Sequence, residues 1–338
     1  MRIDMKEWKR SIISTADVVA LPIMSYPGLE LTDLTIAEVV NNGGNQTACV
    51  ESLARRYSAA AAVAMMDLSR EAEAFGAEIH FADDNVPSVT GNLITSLESV
   101  QALKIPAVGA KRTGAALESA GQLARRISDR PVLAMQIGPF SLAADLLGLT
   151  PTMVQIMRQP ALVHLLLDKA VQFSIDYANA FKEAGANGVI VADMSAGLLS
   201  PKHCDEFSSA YMRKLVTAVQ DENFMVVLHN CGNAKKLVPS MVSTGAEGLH
   251  FGNAVKMADI LPQVPSDRLA CGNIEPGGLF RMGTLDQMKE SVSLLLDEMR
   301  AFPNFVLSSG CDLPPLTPLQ NIDAFFQTLS EHNALRNC

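Results

Sequence analysis

Short apolar runs recur along the chain, separated by longer segments in which apolar residues repeat every three or four positions. Eight such runs can be placed, at residues 18–24, 61–66, 132–137, 188–192, 224–228, 248–251, 268–272 and 304–308. Intervening segments such as 161–184 and 285–299 have the spacing of amphipathic helices. Strands that alternate with helices indicate a parallel sheet, and eight of them predict an α/β fold of the (β/α)8 TIM-barrel type.

The interval 31–90 departs from this alternation. Gly43-Gly44 and Pro87 mark loops there, and we expect small helical additions in this N-terminal part of the chain. The 338 residues contain no evident linker, repeat or low-complexity segment, and barrels of about 200 to more than 400 residues form one unit. We therefore predict a single barrel domain over residues 1–338.

Composition and charge narrow the class of protein. Hydrophobic residues make up 48% of the chain and charged residues 19%, which favours a packed core. The net charge of −9 disfavours binding to a phosphate backbone, so nucleic acid is not an expected partner. No uncharged apolar stretch reaches the ~18 residues of a membrane helix, and residues 1–10 lack the apolar core of a signal peptide. We predict a cytoplasmic protein without a membrane partner, whose cysteines stay reduced.

Polar residues follow several of the apolar runs, where barrel enzymes build their active sites. They are Asp67, Asp193, His229, Cys231, Asn273, Glu275 and Cys311. We expect Asp67 and Asp193 to take catalytic roles and Asn273 and Glu275 to contact a cofactor. A helix cap or a loop hydrogen bond is an equal explanation for Asp193, and loop starts account for part of the set.

Three of these residues form a candidate metal site. His229 and Cys231 are two positions apart at a strand end, so both side chains can turn toward the barrel mouth. Cys311 comes 80 positions later (311 minus 231), directly after Gly310. One nitrogen and two sulfurs favour Zn²⁺, and three protein ligands leave the fourth position open for a substrate. The alternative is that both cysteines are small buried hydrophobes and His229 a hydrogen-bonded core residue.

The remaining cysteines and histidines have ordinary explanations. Packing or exposure accounts for Cys49, Cys204, Cys271 and Cys338, and we expect His80, His164, His203 and His332 to be bystanders. His250 ends the sixth run and is a candidate for a fourth ligand or for a hydrogen bond to a ligand.

The order and spacing of several motifs resemble the uroporphyrinogen decarboxylase superfamily, and within it the cobamide-dependent methyltransferases that methylate coenzyme M. The motifs lie at residues 138–145, 184–193, 227–232, 272–276, 310–312 and 315–318. The His-x-Cys…Cys zinc signature of the methyltransferase branch is retained at positions 229, 231 and 311. The stretch His250-Phe251-Gly252-Asn253 departs from coenzyme M enzymes, several of which carry acidic residues there.

The decarboxylase branch is matched less well. Its N-terminal arginines, which bind tetrapyrrole carboxylates, are absent from residues 24–28. Its tyrosine and its C-terminal Gly-His correspond to Asp145 and Gly310-Cys311, and only its aspartate is kept, as Asp67.

The resemblance implies methyl transfer between a corrinoid and a thiol. Zn²⁺ would hold the thiol as a thiolate. The corrinoid would be carried by a separate protein, since the chain has no Asp-x-His-x-x-Gly sequence. Relatives also use other thiols or a pterin. Two alternatives stay open, a porphyrinogen-like decarboxylase and a non-catalytic corrinoid- or metal-binding subunit, and so does a homodimer.

Overall fold

A computed structural model describes residues 3–82 and 85–336, and its centre is a curled parallel sheet. Seven strands pair in the order β1, β4, β5, β6, β7, β8, β9, while β2 and β3 form a separate antiparallel pair. The strands are β1 Ala62–Val63, β2 Glu78–His80, β3 Ser88–Thr90, β4 Val132–Ile137, β5 Gly188–Ala192, β6 Met225–Asn230, β7 Gly248–Phe251, β8 Leu269–Ile274 and β9 Phe305–Ser309.

The α-helices connect these strands and cover the outside of the sheet. They are α1 Met5–Ser14, α2 Ile36–Val40, α3 Gly43–Arg56, α4 Arg70–Phe75, α5 Leu97–Ala102, α6 Thr113–Arg126, α7 Pro139–Leu147, α8 Leu149–Arg158, α9 Pro160–Ala184, α10 Pro201–Cys204, α11 Ala210–Val219, α12 Val238–Val242, α13 Met257–Ile260, α14 Leu285–Glu298 and α15 Leu319–Arg336. The predicted helices at 161–184 and 285–299 are confirmed as α9 and α14. Helices α2, α3 and α4 occupy part of the irregular interval 31–90.

Six of the eight predicted strands are confirmed within two residues at each end. The run 61–66 is shorter than predicted, because only Ala62 and Val63 pair with β4. The run 18–24 is not a regular strand: a single bridge pairs Ala20 with Leu307. Continuous burial on both faces made these two runs as apolar as the others, but hydrophobicity does not report whether the backbone pairs regularly.

The segment 19–21 nevertheless bonds to both edges of the sheet. On one side Leu21 N donates to Leu307 O at 2.8 Å, and Leu307 N donates to Val19 O at 3.0 Å. On the other side Ala60 N, just before β1, donates to Ala20 O at 2.7 Å. The chain at 19–21 thus lies between β9 and the start of β1.

The sheet separates two apolar layers. Every second strand residue faces the space enclosed by the sheet, as Leu133 and Met135 of β4 and Met225 and Val227 of β6 do. The alternate residues pack against the surrounding helices in the larger core cluster. Helix α1 packs against the inner layer through Met5, whose N–H donates to the carbonyl of Glu222, three residues before β6. The amino end of the sheet is therefore covered, and the carboxyl end is left for a site.

Within the described ranges, no single helix has both the length and the apolarity to cross a bilayer. The pair α7 and α8 reaches that composition only when the two helices are counted together, across a bend of 103°.

Candidate metal centre

The alternation of β6 determines where His229 and Cys231 point. Met225 and Val227 face the inner core, and His229 is the next residue in the same phase. Its ring is fully buried, with 0% exposure. Cys231 follows at the carboxyl end of the strand and is half-buried. One strand therefore delivers a nitrogen and a sulfur to the same end of the sheet.

Cys311 reaches the same place from β9. The turn passes through Gly310, where a Cβ would lie 2.8 Å from the backbone nitrogen of Asn253, so a side chain there would push the loop away. The ligand atoms of His229, Cys231 and Cys311 all lie within 4.8 Å of one another, and no other such group is found in residues 3–82 and 85–336. The three predicted metal ligands are thus brought together.

One ring nitrogen of this cluster has no geometric hydrogen bond to the described residues. His229 Nε2 is buried and has no hydrogen-bond partner among the described residues. An unpaired buried nitrogen costs about 1–3 kcal/mol, so it is expected where something else binds. The neighbouring Cys311 thiol lowers the pKa of Cys231 to about 4, and His229 acts in the same direction against the effect of burial. The pKa of Cys311 is raised, because Cys231 beside it takes the negative charge first. An unpaired nitrogen beside a thiolate is a donor set that fits Zn²⁺.

A second histidine lies directly behind the first. His250 pairs with His229 across β6 and β7, and the two Nδ1 atoms are 2.8 Å apart. His250 Nε2 lies 2.8 Å from Ser308 Oγ, and Ser308 Oγ donates to the carbonyl of Leu21 at 2.6 Å. Burial holds the pKa of His250 well below its usual range, so its ring is neutral. Of the two roles predicted for His250, the hydrogen bond to His229 is the one present.

The loops that carry the cysteines are held by close backbone contacts. A Cβ on Gly252 would lie 2.5 Å from the Cα of Cys231, so the loop after β7 can approach only as glycine. Asn273 holds that loop, because its Nδ2 donates to the carbonyls of Gly252 and Val255 at 2.8 and 2.7 Å. Asn230 Oδ1 accepts from Gly232 N at 2.9 Å on the other side of Cys231.

Asp193 is placed next to this centre but is occupied by other bonds. Its carboxylate is 1% exposed and accepts from Ser141 N, Ser141 Oγ and Ser208 Oγ at 2.8, 2.9 and 2.6 Å. Burial raises the pKa of Asp193, and these three bonds act against that rise. Its backbone N–H donates to the carbonyl of His229 at 2.9 Å. The carboxylate therefore ties the start of α7 to the end of β5.

Asp67 lies at the other side of the sheet's carboxyl end, in an ion pair with Arg112. Ser69 donates to Asp67 Oδ1 through its N–H and its hydroxyl at 3.0 and 2.7 Å. Arg112 also donates to Ser69 Oγ and Glu73 Oε2, at 2.9 and 2.7 Å. Both charged groups of the pair are about 95% or more buried.

A cavity of about 470 Å³ opens beside Asp67 and Ser69. Its lining includes Asp67, Asp145, Asp312, Tyr26 and Met194. Burial raises the pKa of Asp145 and of Asp312 to about 7. Asp312 accepts two bonds from Ser25, whereas Asp145 has no hydrogen-bond partner within the described part of the chain. None of the three candidate metal ligands lines this cavity, and Asp312, the residue after Cys311, is its link to the candidate metal centre.

The other predicted residues lie outside the cluster. Glu275 is exposed after β8, where its carboxylate lies over Gly278. Cys49, Cys204 and Cys271 are buried and free. Cys338 lies outside the described residues.

Sequence reasoning missed three participants at this end of the sheet. Ser308 had a signal, because it is the inward position of β9 nearest to Cys311. Ser25, which bonds Asp312, directly follows the run 18–24 that the apolar pattern predicts as a strand. Arg112 had none, since it lies on a loop between α5 and α6, away from any strand end.

Comparison with known proteins agrees with the geometry. The family model described as "Uroporphyrinogen decarboxylase (URO-D)" matches residues 30–332. A methylcobamide:CoM methyltransferase of Methanosarcina barkeri is 30% identical over 267 residues, covering 78% of this chain and 77% of the relative. Another, from Methanosarcina acetivorans, is 28% identical over 260 residues, covering 76% and 75%. A solved methyltransferase structure from Methanosarcina mazei superposes with a TM-score of 0.86 at 24% identity, over 98% of this chain and 99% of the other, which shows a shared fold.

Proposed function

Because the chain belongs to the uroporphyrinogen decarboxylase family, we propose that it is a zinc-dependent methyltransferase that moves a methyl group between a corrinoid and a thiol. Relatives covering three quarters of the chain are methylcobamide:CoM methyltransferases. The observation that carries the proposal is the buried Nε2 of His229, which has no hydrogen-bond partner in the described part of the chain and lies beside two cysteine sulfurs. A family member that catalysed its reaction with carboxylates alone would not need one histidine nitrogen and two cysteine sulfurs in one place.

The chain's own residues have distinct roles in this scheme. His229, Cys231 and Cys311 would hold the metal, and Asn230 and Asn273 position the loops around Cys231. Zn²⁺, when bound there, would hold the incoming thiol as a thiolate at neutral pH. The methyl group would leave the corrinoid cobalt for that sulfur, forming the thioether and leaving the cobalt reduced by two electrons.

The roles of four predicted residues remain proposals. Asp193 positions the ends of β5 and α7 beside the ligands through its three hydrogen bonds, and Asp67 shapes the cavity with Arg112. Asn273 would affect the corrinoid only indirectly, because its side chain holds the loop at Gly252. Glu275, exposed at the end of β8, is the better candidate for contact with the corrinoid or its carrier protein.

We also infer that the sheet is a closed (β/α)8 barrel in one domain. The segment 19–21 supplies the eighth position, since it bonds to Leu307 on one side and to Ala60 on the other. A barrel that is closed in this way leaves its carboxyl mouth as the entrance for both substrates. The cavity of about 470 Å³ is in the range of small-molecule sites and would admit the thiol. Cytoplasmic location, a separate corrinoid protein and a homodimer stay predictions.

Methyl transfer is the direct test. The zinc-loaded protein is incubated with methylcobalamin and coenzyme M, and also with homocysteine and cysteamine. We expect loss of methylcobalamin absorbance and a methyl thioether detected by mass spectrometry, and no product from Cys311→Ser. If no thiol is methylated while zinc is bound, the protein is a binding subunit and the proposal is wrong.

The decarboxylase reading is tested in parallel with uroporphyrinogen. Residues 24–28 provide no arginine to pair with tetrapyrrole carboxylates. We therefore expect no release of carbon dioxide, and measurable turnover would replace the methyltransferase assignment.

A further inference from the structure

A chain of hydrogen bonds runs from the backbone at Leu21 to the ring of His229. It passes through Ser308 Oγ and the His250 ring, and each contact is between 2.6 and 2.8 Å. His229, His250 and Ser308 are all 0% exposed. No water is needed to complete the chain, because every link joins two protein atoms.

The direction of each bond follows from one fixed end. A backbone carbonyl can only accept, so the hydroxyl of Ser308 must donate its single proton to Leu21 O. Ser308 Oγ can then only accept from His250, which places the His250 proton on Nε2. Since the His250 proton is on Nε2, its Nδ1 carries a lone pair and accepts from His229 Nδ1–H. His229 Nε2 is left with a lone pair, and that is the atom without a partner.

We propose that Ser308 and His250 are positioning residues that set the tautomer of His229, so that its Nε2 lone pair faces Cys231 and Cys311 before any metal arrives. The carbonyl of Leu21, which can only accept, fixes the direction of every hydrogen bond in the chain. If the chain were reversed, His229 Nε2 would carry the proton and would have to lose it before binding a cation. The expected effect on zinc affinity rests on the proposed function. The proton positions on the two rings follow from the hydrogen bonds alone.

The first experiment tests the proton positions in the metal-free wild-type protein. Two-bond ¹⁵N–¹H NMR correlations of ¹⁵N-histidine-labelled protein distinguish a protonated ring nitrogen from one with a lone pair. We expect His229 to be protonated on Nδ1 and His250 on Nε2. Among the six histidines, the His250 signals are assigned by their loss in His250→Gln and the His229 signals by their loss in His229→Gln. A proton on His229 Nε2 overturns the proposal, whatever the methyltransferase assay shows.

The second experiment compares two neighbouring serines of β9. Ser308→Ala removes the acceptor for His250. Ser309→Ala removes an equally buried hydroxyl whose hydrogen bonds, among the described residues, are to the backbone of Ile23. Zinc affinity is measured by competition with a chromophoric chelator. We expect roughly a 10- to 100-fold loss in Ser308→Ala and less than about a twofold change in Ser309→Ala. Equal losses in the two variants would assign the serines to packing alone and overturn the proposal.

A pair at position 250 covers the case in which Ser308→Ala does not fold. Gln can accept from His229 through its carbonyl and donate through its amide, while Leu can do neither. We expect His250→Gln to keep zinc affinity within about tenfold of wild type and His250→Leu to fall below it. If His250→Leu binds zinc as well as His250→Gln, the direction of the chain does not matter for the metal.

Discussion

Two polar clusters lie at the carboxyl end of the sheet, and they differ in what satisfies them. Around Arg112, the carboxylates of Asp67 and Glu73 and the hydroxyl of Ser69 take up the guanidinium donors. Around His229, the ring nitrogen that faces the cysteines has no hydrogen-bond partner in residues 3–82 and 85–336. Both clusters are buried and both contain residues predicted to be functional.

This difference distinguishes residues that stabilise the fold from residues that can bind a ligand. A buried charge is tolerated when another group of the protein pairs with it. If one partner is removed, the other charge stays buried without compensation, which destabilises the fold. A buried lone pair without a partner is tolerated when an outside group completes it. Asp67 and Cys311 are both polar residues that follow a strand. Only Cys311 belongs to a cluster in which a buried polar atom, His229 Nε2, lacks a hydrogen bond from the described residues.

The largest effect is expected from breaking the satisfied cluster. Arg112→Leu leaves Asp67 buried without its counterion, and the free energy of unfolding should fall by about 3–5 kcal/mol. Urea denaturation followed by circular dichroism measures this loss. The half-exposed pair Arg56–Asp323 is the control, and Arg56→Leu should cost at most about 1 kcal/mol. Equal costs would mean that the Arg112 cluster is not structural.

The next largest effect is on metal affinity in the incomplete cluster. Structural zinc is bound with about 10–16 kcal/mol by four ligands, so Cys311→Ser should cost about 3 kcal/mol, or roughly 100-fold or more. Cys204→Ser, at a buried cysteine away from the cluster, should leave zinc affinity unchanged. Elemental analysis and chelator competition give both values. Retention of wild-type affinity in Cys311→Ser would remove this residue from the ligand set.

A smaller effect is expected where the loop after β7 contacts Cys231. Gly252→Ala places a Cβ against the Cα of Cys231, so one loop must move. We expect roughly a tenfold loss of zinc affinity, as for other residues that orient metal ligands. Gly277→Ala is the matched control, because its Cβ would meet nothing within 4 Å. Similar affinities for the two variants would show that the Gly252 contact does not position Cys231.

The smallest effect concerns Asp145, an unpaired carboxyl on the cavity wall. Its folded pKa of about 7 is above its unfolded value, first because of burial and then because of Glu71. The folded state therefore holds a proton that the unfolded state releases between about pH 4 and 7, and stability is lost as the pH rises through 7. Asp145→Asn keeps the group neutral and should stabilise the protein by about 1–2 kcal/mol at pH 8, after allowing for partial exposure. The difference should vanish near pH 4, and a pH-independent difference would contradict the assignment.

The sequence predicts the strands whose backbone pairs regularly, and it fails where side chains take part in the pairing. The runs at 132–137, 188–192 and 248–251 match β4, β5 and β7 at both ends, because strands buried on both faces are continuously apolar. The run 18–24 is just as apolar, but side chains share its bonding. Ile23 N donates to Ser309 Oγ, and Ser25 N, directly after the run, donates to Asp312 Oδ1. The hydrophobicity of the run does not reveal such bonds.

The site divides in the same way. His229, Cys231 and Cys311 could be found because their residue types suit one metal and strand ends converge. The hydrogen bonds of Asp193 could not, since its partners Ser141 and Ser208 come from a helix start and a distant turn. Arg112 is beyond sequence reasoning for the same reason, because only the folded chain brings it to Asp67.

The bond between Ser308 and Leu21 joins residues 287 positions apart. A ribosome that adds about 5–20 residues per second needs roughly 15–60 s to make that stretch. Throughout that interval Leu21 has emerged while its partner has not yet been made, and Cys311 is made only after Ser308. The full ligand set, oriented by its hydrogen bonds, can therefore form only after nearly all of the described chain has been translated. On the proposed function, zinc would therefore bind late, after Cys311 has been made, rather than during synthesis of the first strands.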